Sequence, residues 1–261
     1  FVRDAINAAT DKPVMTLPVP VAAGDRVSGD TLPELDRLGG DDYFLFAFDF
    51  LSDYERKNPE AVLRAHQLAF EDSGPWLVIK CMNARKRPLQ AARLRGLAHD
   101  RRRVLILERA LPEEELALLI HSSLGFVSLH RSEGFGLTIA ESMARSKPAV
   151  ATAYSGNLDF MTSQNSFLVP YTMSRIPENS AYSSDGKWAE PDLGVAAHYM
   201  RYIVEHPDES ATVAARGRRT ITDLYSFEAA ADFVGQRLDH LRPAIRSRRS
   251  AFRRLLRRLP H

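Results

Sequence analysis

Arg131-Ser-Glu-Gly-Phe-Gly-Leu-Thr-Ile-Ala-Glu-Ser-Met-Ala144 places two carboxylates, Glu133 and Glu141, eight residues apart across a glycine-bracketed turn that runs into a helical pattern. The apolar stretch just before it, Gly125-Phe-Val-Ser-Leu129, reads as a buried strand. Strand, glycine-containing turn and helix in that order build a site for an anion or a nucleotide. The free N–H groups of the helix start face the ligand, and glycine lets the backbone approach it closely. A carboxylate one turn into the helix is then placed to accept hydrogen bonds from ribose hydroxyls.

The same alternation extends outward. Strands are expected at 43–50, 76–82, 104–107, 125–130, 149–153 and 166–169, with helices near 59–71, 88–98, 112–122 and 137–145. Proline at helix starts, as at Pro59 and Pro112, occupies the favoured first-turn position. About six strands with intervening helices imply an α/β, Rossmann-like, doubly wound parallel sheet, whose ligands bind at the carboxyl ends of the strands. Residues 10–40 are rich in Pro, Gly and Asp and read as a linker with one short strand at 14–21. Residues 171–192 read as a long loop, and helices follow at 193–205, 207–224 and 226–241.

Composition excludes several classes. The one cysteine, Cys81, sits in an apolar run, so neither a disulfide framework nor a cysteine metal site is available within the chain, and a cytosolic setting fits. No run of about 18 apolar residues spans a membrane. The formal charge of +2 hides an asymmetry: residues 242–261 carry eight arginines and no acid, leaving −6 on residues 1–241. That tail spaces its apolar residues as a basic amphipathic helix, open to an anionic membrane surface, a protein partner, or disorder. Nucleic acid is disfavoured, because no aromatic residues interleave with the cations in a known binding fold. The chain opens at Phe1 without an initiator Met, inside a helical pattern, and reads as part of something longer.

A second stretch, Phe48-Asp-Phe-Leu-Ser-Asp-Tyr-Glu-Arg-Lys-Asn-Pro59, leaves the first strand and puts Arg56 and Lys57 in a loop ahead of a helix. They are either solvated cations or a grip for a diphosphate, shared with the helix N-terminus. Both this loop and the Glu133 loop follow strands, so both belong to one edge of the sheet. Gly134-Phe-Gly136 does not extend to a dinucleotide fingerprint.

In these two motifs the chain resembles the C-terminal, donor-binding domain of retaining GT-B glycosyltransferases of family four, the group 1 glycosyl transferases. The resemblance covers roughly residues 40–240. It implies a donor half that takes a UDP- or GDP-sugar and transfers the sugar to a glycan or lipid-linked acceptor with retention of configuration, without metal or cofactor. Arg56 and Lys57 then hold the diphosphate, Glu133 sits near the transferred sugar, and Glu141 takes the ribose. Gly134, Phe135, Gly136 and Leu137 offer backbone N–H groups, and Ser155, Gly156 and Asn157 match the small-residue loop facing the donor. His130 is either a bystander or an acid–base group. Lys147 departs from the family, which favours glycine there. The resemblance divides the chain into an end of the acceptor-binding domain with linker (1–40), the donor domain (41–241) and the tail (242–261). It also implies bacterial polysaccharide assembly in the cytoplasm, peripheral to the membrane's inner face. Two other readings stay open: a non-catalytic nucleotide-sugar or membrane-docking module, and another GT-B activity such as an epimerase or a phosphorylase.

Overall fold

The computed structural model describes residues 2–22, 32–178, 180 and 182–256, with only the backbone from 244 onward. Contacts within the chain divide it into two compact units, Val21–Thr222 and Phe1–Pro20 with Asp223–His261. The smaller unit includes α1 (Val2–Asn7).

The larger unit is built on a strand whose residues are apolar on both faces. In β1 (Tyr43–Asp49, YFLFAFD) every residue from Tyr43 to Phe46 is buried, as a central parallel strand covered on both sides requires. It is followed by β2 (Trp76–Met82), β3 (Val104–Glu108), β4 (Gly125–Ser128), β5 (Ala149–Thr152) and β6 (Phe167–Val169), which form one six-stranded sheet in the order β3-β2-β1-β4-β5-β6. All neighbours run parallel. This is the expected α/β doubly wound, Rossmann-like architecture.

The chain leaves β1 through a single helical turn, α2 (Tyr54–Lys57), and returns through α3 (Pro59–Phe70); α4 (Pro88–His99), α5 (Glu113–His121) and α6 (Leu137–Ala144) make the next crossovers. Adjacent strand residues point to opposite faces. Phe44 stacks on Phe70 of α3, whereas the Tyr43 hydroxyl donates to the Leu119 carbonyl of α5 at 2.6 Å, so α3 and α5 cover opposite faces. Right-handed crossovers explain why. Growth from β1 to β3 puts α3 and α4 on one face, and the reversed growth from β3 to β6 puts α5 and α6 on the other. The reversal falls between β1 and β4, the switch point where such sheets bind ligands.

Three expectations are corrected. Residues 14–21 form no strand: Pro13, Pro18 and Pro20 remove backbone donors, and no partner strand lies alongside. Residues 171–192 are not a plain loop but a hairpin of β7 (Tyr171–Arg175) and β8 (Lys187–Pro191), paired antiparallel. Arg56 and Lys57 lie in the last turn of α2, not in a loop. Beyond the hairpin, α7 (Leu193–Glu205) begins at Asp192, whose carboxylate accepts from the Gly194 and Val195 amides at 2.9 and 3.0 Å. Then come α8 (Pro207–Leu224) and α9 (Phe227–Leu256), the latter running through Pro243 instead of stopping near 241. The amphipathic face expected for the tail lies outside the described side chains.

Candidate functional site

The turn after β1 is specified locally. The Asp53 carboxylate caps α2 by accepting the Arg56 amide at 2.9 Å. Asn58 then adopts a left-handed conformation (φ 54°), closing α2 and opening α3, with Pro59 in the first position. Asparagine tolerates that conformation better than most residues, and proline has no amide to waste at a helix start. The buried Asn58 amide also donates to the Leu129 carbonyl at 3.0 Å, tying the turn to the end of β4.

The β4 exit meets it directly. The Arg131 amide donates to the Arg56 carbonyl at 2.8 Å, and the Arg56 guanidinium donates to the Ser132 carbonyl at 2.7 Å and to Glu133 at 3.4 Å. The Lys57 ammonium donates to the other Glu133 oxygen. The predicted cations and the first glutamate thus converge at the switch point. Burial pushes the Glu133 carboxyl up, but the charges of Lys57 and Arg56 outweigh it and hold the group below its ordinary range. Glu141, on α6, differs: burial raises its pKa, Glu113 at the start of α5 adds to that, and Arg145 opposes it.

The glycine turn is braced from behind. Ser155, at φ 76°, accepts the Glu133 amide on its hydroxyl at 2.7 Å, and the Gly156 amide donates to the Glu133 carbonyl at 3.0 Å. Asn157, expected to face the donor, is fully buried; its amide donates to the Thr152 carbonyl at 3.0 Å and its oxygen lies 3.1 Å from His130 Nε2. Phe135 packs its ring against Phe160 at 4.9 Å, leaving its backbone to the turn. Gly136 takes a left-handed conformation (φ 91°) before α6, which has no side-chain cap, and the adjoining Leu137 is half-exposed. The first amides of α6 thus have no side-chain cap. Gly134 has open space where a side chain would begin.

Arg131 was missed as a site residue because its partners are remote in sequence. Its guanidinium donates to both Glu190 oxygens at 2.6 and 3.2 Å and to the Glu55 carbonyl at 2.6 Å. It also lies over the Trp188 ring, 5.3 Å from the centroid, while the Ala189 amide donates to the Arg131 carbonyl at 2.9 Å. The buried Trp188 thus holds this arginine through its ring face. The sequence signal, Trp188-Ala-Glu190, was visible; its partner was not.

His130 is enclosed beneath the turn, with Nδ1 3.0 Å from the Ser128 hydroxyl. Burial lowers its pKa, so the unfolded chain binds a proton here more readily than the fold does. Stability should therefore fall as pH drops below the ordinary imidazole value of about 6.5, with a slope approaching about 1.4 kcal/mol per pH unit until the folded-state pKa is reached. Thermal melts of the chain and of His130→Gln between pH 7.5 and 5.5 test this. The variant should have the shallower slope; equal slopes would show that the imidazole does not contribute.

Residues 52–175 match the family model of glycosyl transferases group 1. Over that segment the chain is similar to glycosyl transferases group 1. No curated protein matches the chain. Among solved structures, a TarM variant from S. aureus, in complex with fondaparinux, alpha-GlcNAc-glycerol and UDP, superimposes with TM-score 0.62 at 15% identity, over 88% of this chain and 40% of TarM. Sucrose-phosphate synthase from Thermosynechococcus elongatus gives 0.61 at 21%, over 87% of this chain and 50% of the synthase. The C-terminal domain of the group 1 protein LpcC from Francisella tularensis gives 0.54 at 13%, over 81% of this chain and 97% of that domain. At these identities the likeness is one of fold. The matched segment lies in a chain that spans half or less of the length of TarM and the synthase but matches nearly all of the LpcC domain.

Proposed function

We propose that this chain is the nucleotide-sugar-binding half of a retaining glycosyltransferase. One observation carries the reading: at the switch point of a parallel sheet, Arg56 and Lys57 from the β1 exit meet Glu133 from the β4 exit, ahead of the uncapped amides of α6. Two cations and a helix start suit a diphosphate. The entering phosphates take over Lys57 and Arg56 from Glu133, which turns to the sugar, and Glu141 accepts the ribose hydroxyls. In the reaction the bond between the anomeric carbon and the diphosphate oxygen breaks, with the electron pair leaving on the diphosphate. The acceptor hydroxyl bonds to that carbon on the same face, and its proton passes to the departing phosphate. Arg56 and Lys57 stabilise the charge that develops, in place of a metal ion. The donor is a UDP- or GDP-sugar, as the UDP in the TarM complex supports. The acceptor is a glycan or a lipid-linked glycan, bound mainly by residues outside this chain. The arginines of 242–261 add an anionic membrane surface to the partners. Among the described residues no helix is long and apolar enough to cross a membrane.

Thermal shift with UDP, GDP, ADP and their sugars tests the reading. A nucleotide present at a hundred times its Kd stabilises the fold by about 2.7 kcal/mol. Arg56→Ala and Glu141→Ala should each weaken that nucleotide by roughly 10- to 100-fold, the cost of a charge-assisted contact. Failure of every nucleotide to raise Tm would overturn the proposal.

A further inference from the structure

Lys80 lies in the middle of β2, in a sheet whose neighbouring strands are almost entirely apolar. Only 7% of the residue is exposed. Its register partners are Ala47 on β1 and Leu107 on β3. Ala47 shares a face with Tyr43, which reaches α5, so Lys80 points to the face of α5 and α6. That face also carries Glu141. Asp49, two residues beyond Ala47 on the same face of β1, is among the charges acting on the ammonium, which sets the tip toward the carboxyl rim.

The charges near the ammonium are Asp49, at the end of β1, and Arg109, just after β3. Both are engaged elsewhere. An Asp49 oxygen accepts from the Leu51 amide at 2.9 Å and from Asn83 at 2.8 Å, and Arg109 is paired with Glu34 and Glu115, each at 2.7 Å. Among the described residues the Lys80 ammonium has no hydrogen-bond or ion-pair partner, yet it is not a fully enclosed atom: the stem is buried and the tip is wet. Burial lowers its pKa. A structural lysine would be expected to have a partner, because an ammonium drawn into an apolar sheet is costly without one. This one is held at a ligand-binding rim with its donors free.

Resting on the donor-site reading, we propose that Lys80 is a further substrate-binding residue whose ammonium donates to an oxygen of the nucleotide, one strand away from Arg56 and Lys57. A base or ribose oxygen and a phosphate oxygen offer the same chemistry. Titrations of the chain with UDP, uridine and pyrophosphate tell them apart. Lys80→Met keeps the stem and removes the charge. It should weaken UDP about tenfold or more while holding or raising Tm, because a buried cation is removed. A loss confined to uridine assigns the base or ribose oxygen, and one confined to pyrophosphate assigns the phosphate. Independently, UDP should protect Lys80 from acetylation by an N-hydroxysuccinimide ester, read by peptide mass spectrometry. UDP affinity within twofold of the parent chain, or equal labelling with and without UDP, overturns the assignment and leaves the donor site standing. A parent chain that binds none of the three probes overturns both.

Discussion

Gly156→Ala is expected to damage the site more than any other single methyl group. A Cβ at this position would lie 1.9 Å from the Gly134 carbonyl oxygen and 2.5 Å from its carbon, with the Glu133 oxygen at 3.0 Å. All three are backbone atoms, so no side chain can swing away. Either the 155–157 corner or the Glu133–Gly134 turn must move by more than an ångström, breaking the Gly156 amide contact to Glu133 at 3.0 Å and the Ser155 contact at 2.7 Å. Overpacking of this kind costs about 3 kcal/mol or more. The displaced turn also moves the backbone amides of residues 134–137, which the donor-site reading gives to the phosphates, so UDP binding should disappear along with the lost stability. Gly134→Ala is the control. Its Cβ meets nothing within 4 Å, and its Tm should stay close to that of the parent chain. Calorimetry with a UDP titration on both variants checks the pair; similar melting of the two would refute the close-approach argument.

Arg131→Gln should have the second-largest effect. The substitution removes a two-pronged contact to Glu190, the stack on Trp188 and the bond to the Glu55 carbonyl, while leaving the backbone bond from residue 131 to Arg56 intact. The Arg131 side chain is 17% exposed and Glu190 42%, so solvent screens part of the pair and the loss is about 2 kcal/mol. The functional consequence is separate. Arg131 clamps the β7–β8 hairpin to the turn that presents Arg56, so releasing it should weaken UDP about tenfold beyond what the lost stability explains. Arg131→Lys keeps the charge but not the fork and should recover only part of both. Unchanged UDP affinity at a temperature where both proteins are folded would limit Arg131 to a scaffold role.

Much of this architecture was legible from local pattern. Apolar runs of strand length, prolines at helix starts and Asp53-Tyr-Glu-Arg-Lys-Asn-Pro59 each act over a few residues, so the order of strands and helices could be read directly. The hairpin at 171–191 was not legible. β7 is mostly exposed, so no buried alternation marks it, and its pairing depends on residues twelve to twenty positions apart. Residues 14–21 are apolar enough for a strand, but an apolar stretch becomes one only where a partner edge is free.

The site divides along the same line. Its chemistry, two cations, two glutamates and a glycine turn, is written in short motifs, because capping, turn geometry and helix starts depend on neighbours in the chain. What each residue touches is set by the order in which the strands pack. Parallel pairing brings Arg56 beside Glu133 across 77 positions and turns Lys80 to the face covered by α5. It also turns Asn157 inward to His130 and sets Arg131 between Trp188 and Glu55. Those contacts come from crossover handedness and close packing, long-range consequences that no window of sequence contains.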